Sequence, residues 1–189
     1  VDFYGQQIGS RLEDMGSFAK YIGGSPTNTA IGAARLGMRC ALISAVGDDA
    51  MGRFIREELV REDVMADYVR TDPDRMTALV ILGIRAKESF PLIFYRENCA
   101  DMALSEASID PDLIARSRAV VTSGTHFSTP STLAASLRAL DLAKEHGAER
   151  WIDLDYRPVL WGLGSKGDGE TRFIADASIS SHLQEIMGH

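Results

Sequence analysis

The sequence predicts an α/β fold: a mostly parallel sheet flanked by helices, carrying a small antiparallel β flap. Three observations lead there. Apolar runs of strand length, "RCALISAV", "RAVVTSG" and "RWIDLDY", are separated at least in part by helical patterns. That βαβ rhythm implies parallel strands covered on both faces. By contrast, "MTALVILGI" and "FPLIFYR" are separated only by the polar "RAKES", which reads as a hairpin. With 189 residues, 45% hydrophobic and 25% charged, the chain suffices for one domain with a sizeable core.

Taken in order, "VDFYGQQIG" alternates as a strand does. The first helix spans Pro26 to Leu36: Ser25 can cap it, Pro26 suits the first helical position, and Gly37 suits a left-handed stop. After the strand "CALISAV", Asp48 or Asp49 can cap a second helix from about Ala50 to Glu62, with Met51, Phe54, Ile55 and Leu59 on one face. The hairpin occupies Met76 to Arg96, and the flap is expected to take in segments around 1–10 and 66–98. A third helix runs from Pro130 to His146, between Thr129 and Gly147, with Leu133, Leu137 and Leu140 as its stripe. Gly162 to Glu170 forms a Gly-rich loop, and "SISSHLQEIM" is a short last helix.

A net charge of −7 argues against a nucleic-acid or anionic-membrane partner, because both recruit clustered Lys and Arg. No run of 18 apolar residues is present, and the first residues lack the basic start and apolar stretch of a secretory signal. The chain starts on Val1 inside a strand, so the true start is expected to lie upstream. Cys40 and Cys99 stand apart from any ligand-spaced partner and read as thiols of a reducing cytoplasm. His126, His146, His182 and His189 are scattered, against zinc spacing.

Two glycine motifs differ in weight. Gly162, Gly164 and Gly167 spell G-x-G-x-x-G, but no strand precedes them and Gly167-Asp168-Gly169 opens no helix, so a surface loop is expected. Asp168 also stands where a phosphate-binding Walker loop needs Lys. "YIGGSPTNTAIGAARLG" is more informative. Gly23-Gly24 lets backbone approach a ligand, and the amides of Ser25 to Asn28 lie at a helix start, where unpaired donors favour oxygen-rich groups. Asn28, one turn in, offers a donor and an acceptor, as a polyol hydroxyl requires. Taken without its spacing, the stretch fits a capped tight turn equally well.

Gly23-Gly24-Ser25-Pro26-Thr27-Asn28-Thr29-Ala30, then Gly37 and Gly47, resembles the first signature of the ribokinase-type (phosphofructokinase-B family) carbohydrate kinases, and "VGDDAMG" resembles the segment that follows it. "VDFYGQQIGSRLEDM", "FPLIFYRENCADMALS", "TSGTHFSTP" and "DLDYRPVLWGLG" are similar to the 5-dehydro-2-deoxygluconokinase branch, which serves inositol breakdown. The resemblance covers essentially the whole chain.

It implies a ribokinase-like fold and ATP- and Mg²⁺-dependent phosphorylation of a sugar acid. Asp2 matches a carboxylate that takes sugar hydroxyls; the alternative is an exposed Asp at a frayed terminus. Gly23, Gly24 and Asn28 match the sugar loop. Arg96 and Arg157 match arginines that hold a substrate carboxylate through paired hydrogen bonds; alternatively each pairs with a neighbouring acid, Glu97 or Asp155. His126 reads as a structural histidine, with a pocket role open. The resemblance further implies a homodimer formed through the flap. The family's Gly-Ala-Gly-Asp turn and Asn-x-x-Glu segment have no counterpart here, so the chain is expected to be the N-terminal, sugar-binding part of one truncated domain (1–189), inactive by itself. Other sugars (2-keto-3-deoxygluconate, fructose) and a non-catalytic dimerising fragment are the competing expectations.

Overall fold

A computed structural model describes residues 1–165, 167 and 169–188. Lys166 and Asp168 of the Gly-rich loop, and His189, lie outside the described residues. In chain order the elements are β1 (Asp2–Gly5), β2 (Phe18–Tyr21), α1 (Ser25–Arg35), β3 (Cys40–Ala41), β4 (Ser44–Gly47), α2 (Ala50–Arg61), β5 (Val64–Met65) and β6 (Val69–Asp72). They continue with β7 (Leu79–Leu82), β8 (Leu92–Tyr95), α3 (Pro111–Ala115), β9 (Ala119–Ser123), α4 (Pro130–Glu145), β10 (Glu149–Asp153) and α5 (Ala177–Met187).

Among the described residues three two-stranded sheets are parallel: β3 with β5, β4 with β6, and β9 with β10. A four-stranded sheet in the order β2-β1-β7-β8 is mixed, its central pair parallel and both outer pairs antiparallel. The predicted hairpin is β7–β8, with Leu79 opposite Tyr95 and Leu82 opposite Leu92.

Helices cover two faces. Leu42 and Val46 pack with Ala30 and Ile31 of α1 and Leu59 of α2. Ile43, the next residue in the same extended run, packs instead against Ile114 of α3 and Ala139, Leu142 and Ala143 of α4. Successive side chains of an extended segment point to opposite faces, so an unbroken apolar run is what a doubly covered strand requires.

Helix ends follow local chemistry, with two departures from expectation. The N-cap of α1 is Gly24, at φ +100°, a conformation natural only to glycine; Ser25 is the first helical residue, and its hydroxyl donates to Asp153. The helix stops as predicted at Gly37, φ +86°, whose N–H donates to the Ala34 carbonyl at 2.8 Å. The buried side of α4 is built on Thr132, Ala135, Ala139, Leu142 and Ala143 together with Leu140, while Leu133 and Leu137 are only half-buried. Small residues let that helix approach its neighbours closely, so side-chain size misplaced the stripe.

Asp49 is the most connected cap. One carboxylate oxygen accepts from the amides of Met51 and Gly52 at 2.8 Å each, and the other accepts from the Thr77 amide at 2.8 Å. Burial alone would raise this carboxyl, but the hydrogen bonds from Thr77, Gly52 and Met51 outweigh it and hold the group below its ordinary 3.8. Asp49→Ala is expected to cost about 2 kcal/mol in urea denaturation at neutral pH. A depressed folded pKa contributes stability above the unfolded value, and that stability is lost as pH falls through the folded one. The gap between wild type and variant therefore closes below about pH 4.

Candidate functional site

A cavity of about 520 Å³ opens where the start of α1, strands β1, β7 and β8, the turn after β9 and the segment after β10 meet. Asp2, Gly23, Gly24, Asn28, Arg96 and Arg157, all proposed from sequence as site residues, line this one space.

The two glycines are needed for different reasons. Gly24 supplies the backbone conformation that turns the chain into α1. Gly23 supplies room: a Cβ there would lie 2.2–2.3 Å from the three carboxyl atoms of Asp2. Asp2, on β1, is thus seated against the diglycine. It is half-buried, and its side-chain carboxylate accepts no hydrogen bond from the described residues. Burial pushes its carboxyl up. Two acceptor oxygens held without partners inside a cavity form a receptor for hydroxyl hydrogens.

The helix start offers fewer donors than expected. The Asn28 amide is already bonded to the Gly24 carbonyl at 2.9 Å, and Pro26 has no N–H. Ser25 and Thr27 keep first-turn amides without an intrahelical acceptor. The Asn28 side chain is exposed toward the cavity.

Both arginines are already paired. Arg96 Nε donates to Asp101 at 2.5 Å, with both side chains largely buried, 13% and 14% exposed. The acid beside Arg96 is therefore Asp101. Arg157 pairs with Asp155 at 2.9 Å, the alternative foreseen from sequence. Asp155 sits at φ +21°, with its amide on Asp153 at 3.2 Å. Burial raises its carboxyl, Arg157 opposes that, and Asp153 adds to it.

His126 follows β9, on a turn that Gly124 presses under the Leu154 carbonyl; a Cβ on Gly124 would lie 1.8 Å from that oxygen. Its Nε2 lies 3.2 Å from an Arg96 nitrogen. Guanidinium only donates, so Nε2 accepts and the ring is neutral, with its proton on Nδ1. Burial, then the Arg96 charge, lowers its pKa from 6.5 to about 4.

Sequence reasoning missed three lining residues. Asp101 holds Arg96 with one oxygen, while the other is buried without a partner. Asp153 anchors Ser25. Arg172 lines the cavity from the segment after the Gly-rich loop. Asp101 and Asp153 lie within the strings that carry the resemblance but were given no role there, and Arg172 lies outside them; only the folded chain brings the three together.

The Gly-rich loop follows a 3-10 turn, Pro158–Trp161, with Gly162 at φ +77° as its cap, and the next helix begins only at Ala177. Among the described residues no three His, Cys, Asp or Glu side chains are placed to hold a metal, and no helix is long and apolar enough to cross a membrane.

The chain is 39% identical over 162 residues to a 5-dehydro-2-deoxygluconokinase of Geobacillus kaustophilus (strain HTA426), covering 85% of this chain and 48% of that one. It spans about half the length of the curated relatives it matches. A PfkB protein from Polaromonas sp. JS666 superposes with a TM-score of 0.79 at 27% identity, over 85% of this chain and 54% of that one. A sugar kinase from Pyrococcus horikoshii in complex with ATP does so at 0.79 and 25%, over 85% and 52%. The ribokinase-like fold is thereby shared, with about half of each solved chain represented. Residues 1–167, which include every cavity residue except Arg172, match the model of the pfkB family carbohydrate kinases, and the chain belongs to that family.

Proposed function

We propose that this chain carries the sugar-binding half of an ATP-dependent kinase that phosphorylates 5-dehydro-2-deoxygluconate to its 6-phosphate in inositol breakdown. The supporting observation is the Asp2 carboxylate, unpartnered and pressed against Gly23 inside a cavity that also carries guanidinium groups. Asp2 accepts two hydroxyl hydrogens, which charge-assisted bonding favours. Asn28 both gives and takes, and the backbone at Gly23 and Gly24 lies close beneath the sugar. Arg96 and Arg157 face the acid end, each with donors left beyond its internal partner. ATP with Mg²⁺ supplies the phosphoryl group, and the residues that activate the hydroxyl and hold the nucleotide are placed by this reading in the part of the relatives that the chain does not match.

The pairing of both arginines favours a second reading, a neutral ketohexose, since their charges are already compensated. Calorimetric titration of the protein separates the two. The expected result is at least tenfold tighter binding of 5-dehydro-2-deoxygluconate than of fructose, roughly the value of one charge-assisted contact. No ADP should form with MgATP. Equal affinity for both sugars would move the assignment to a neutral substrate, and ADP release would refute the half-site.

A further inference from the structure

We infer that Arg172 is the residue that selects an acidic over a neutral sugar, an inference that rests on the sugar-acid reading above. Four carboxylates (Asp2, Asp101, Asp153, Asp155) and three guanidiniums (Arg96, Arg157, Arg172) line the cavity among the described residues. Arg96 is spoken for by Asp101 and Arg157 by Asp155. A substrate carboxylate entering such a space meets more negative than positive charge. The paired Arg96 and Arg157 can still lend hydrogen bonds, but net positive charge to offset the carboxylate comes from a guanidinium that lacks an internal counter-ion. Among the described residues, Arg172 makes no hydrogen bond and no ion pair.

Its position is built. Residues 169–174 form a strap from the flap to the segment after β10. At one end the Gly169 amide donates to the Leu92 carbonyl at 3.0 Å, so closely that a Cβ on Gly169 would lie 2.7 Å from that oxygen. Beside it, the Phe90 amide donates to Glu170 at 2.7 Å. At the other end the Tyr156 hydroxyl donates to the Ile174 carbonyl at 2.8 Å, and the Tyr156 and Phe173 rings meet edge to face, 6.4 Å apart. Arg172 lies between these anchors, on backbone tied at both ends, with its side chain unengaged. A planar fork with five donors matches a carboxylate two bonds at a time.

The test compares wild type, Arg172→Gln and Arg172→Lys by calorimetric titration with 5-dehydro-2-deoxygluconate and with fructose. Glutamine is expected to weaken the acid by roughly tenfold to a hundredfold and leave fructose unchanged, with lysine intermediate because charge remains and the fork is lost. Unchanged circular dichroism is expected, since no internal contact is removed. If wild type prefers the acid and the glutamine variant keeps that preference, Arg172 is not the selector. If wild type shows no preference, the sugar-acid reading falls and this inference with it.

Discussion

Arg96→Met is expected to lower the unfolding free energy by about 3–5 kcal/mol, the largest stability effect of any substitution in the cavity. Arg96 and Asp101 are 13% and 14% exposed, so solvent cannot take over when one is removed. Asp101 already has one buried oxygen without a partner, and the substitution orphans the second. Removing one member of a buried pair costs far more than removing both, because the survivor keeps its desolvation penalty. The double variant Arg96→Met with Asp101→Leu should therefore recover most of the loss in urea denaturation. Equal deficits in single and double variants would mean that packing of the arginine stem, not the charge pair, holds this corner. His126 gives an independent reading. Burial is the first cause of its low pKa of about 4, and the Arg96 charge is the second, so its NMR titration should move upward in the Arg96→Met variant. In wild type the unfolded chain binds a proton between about pH 6.5 and 4 that folded His126 refuses, so stability falls as pH drops through that window. The fall should be shallower in the variant.

The sequence was legible wherever one residue's chemistry decides a local conformation. Pro26 and Gly37 bracket α1, and Asp49 caps α2, because a missing N–H, a positive φ and a short acceptor leave few alternatives. The hairpin β7–β8 was legible because two apolar runs lay too close together for a helix between them. Strands β3 and β5, two residues each, and the five-residue helix α3 are too short to show a period; β5, β6 and α3 are defined by what they pack against or pair with. The same division runs through the site. Asp2, Gly23, Gly24 and Asn28 sit in recognisable strings. The partners of the arginines could be narrowed to nearby acids but not chosen, since Asp101 rather than Glu97 meets Arg96 only after the chain turns through Ala100–Ala103. Arg172 carried no signal, because a guanidinium on an irregular segment becomes meaningful only once the other two are seen to be compensated.

Gly23→Ala is the substitution expected to cost most in ligand binding. The new methyl would occupy the position of the Asp2 carboxylate, 2.2–2.3 Å from its three atoms. That carboxylate is the free end of a short side chain, so it can swing aside, and the fold should lose only about 1–2 kcal/mol. Binding has no such escape: once displaced, the acceptor pair no longer meets the hydroxyls, and affinity for acid and neutral sugars alike should fall by roughly a hundredfold. Gly24→Ala is the contrasting case. Its nearest obstacle is Thr27 Oγ1 at 3.6 Å, so space is ample, but φ +100° strains any Cβ. It should therefore weaken folding more than it weakens binding. A double-mutant cycle ties the first effect to its cause. If Gly23→Ala acts by moving Asp2, then combining it with Asp2→Ala should bind sugar no worse than Asp2→Ala alone, because the group it displaces has gone. Additive losses would mean that the methyl obstructs the ligand directly, and the diglycine would then be a contact surface for sugar rather than a seat for the carboxylate that holds it.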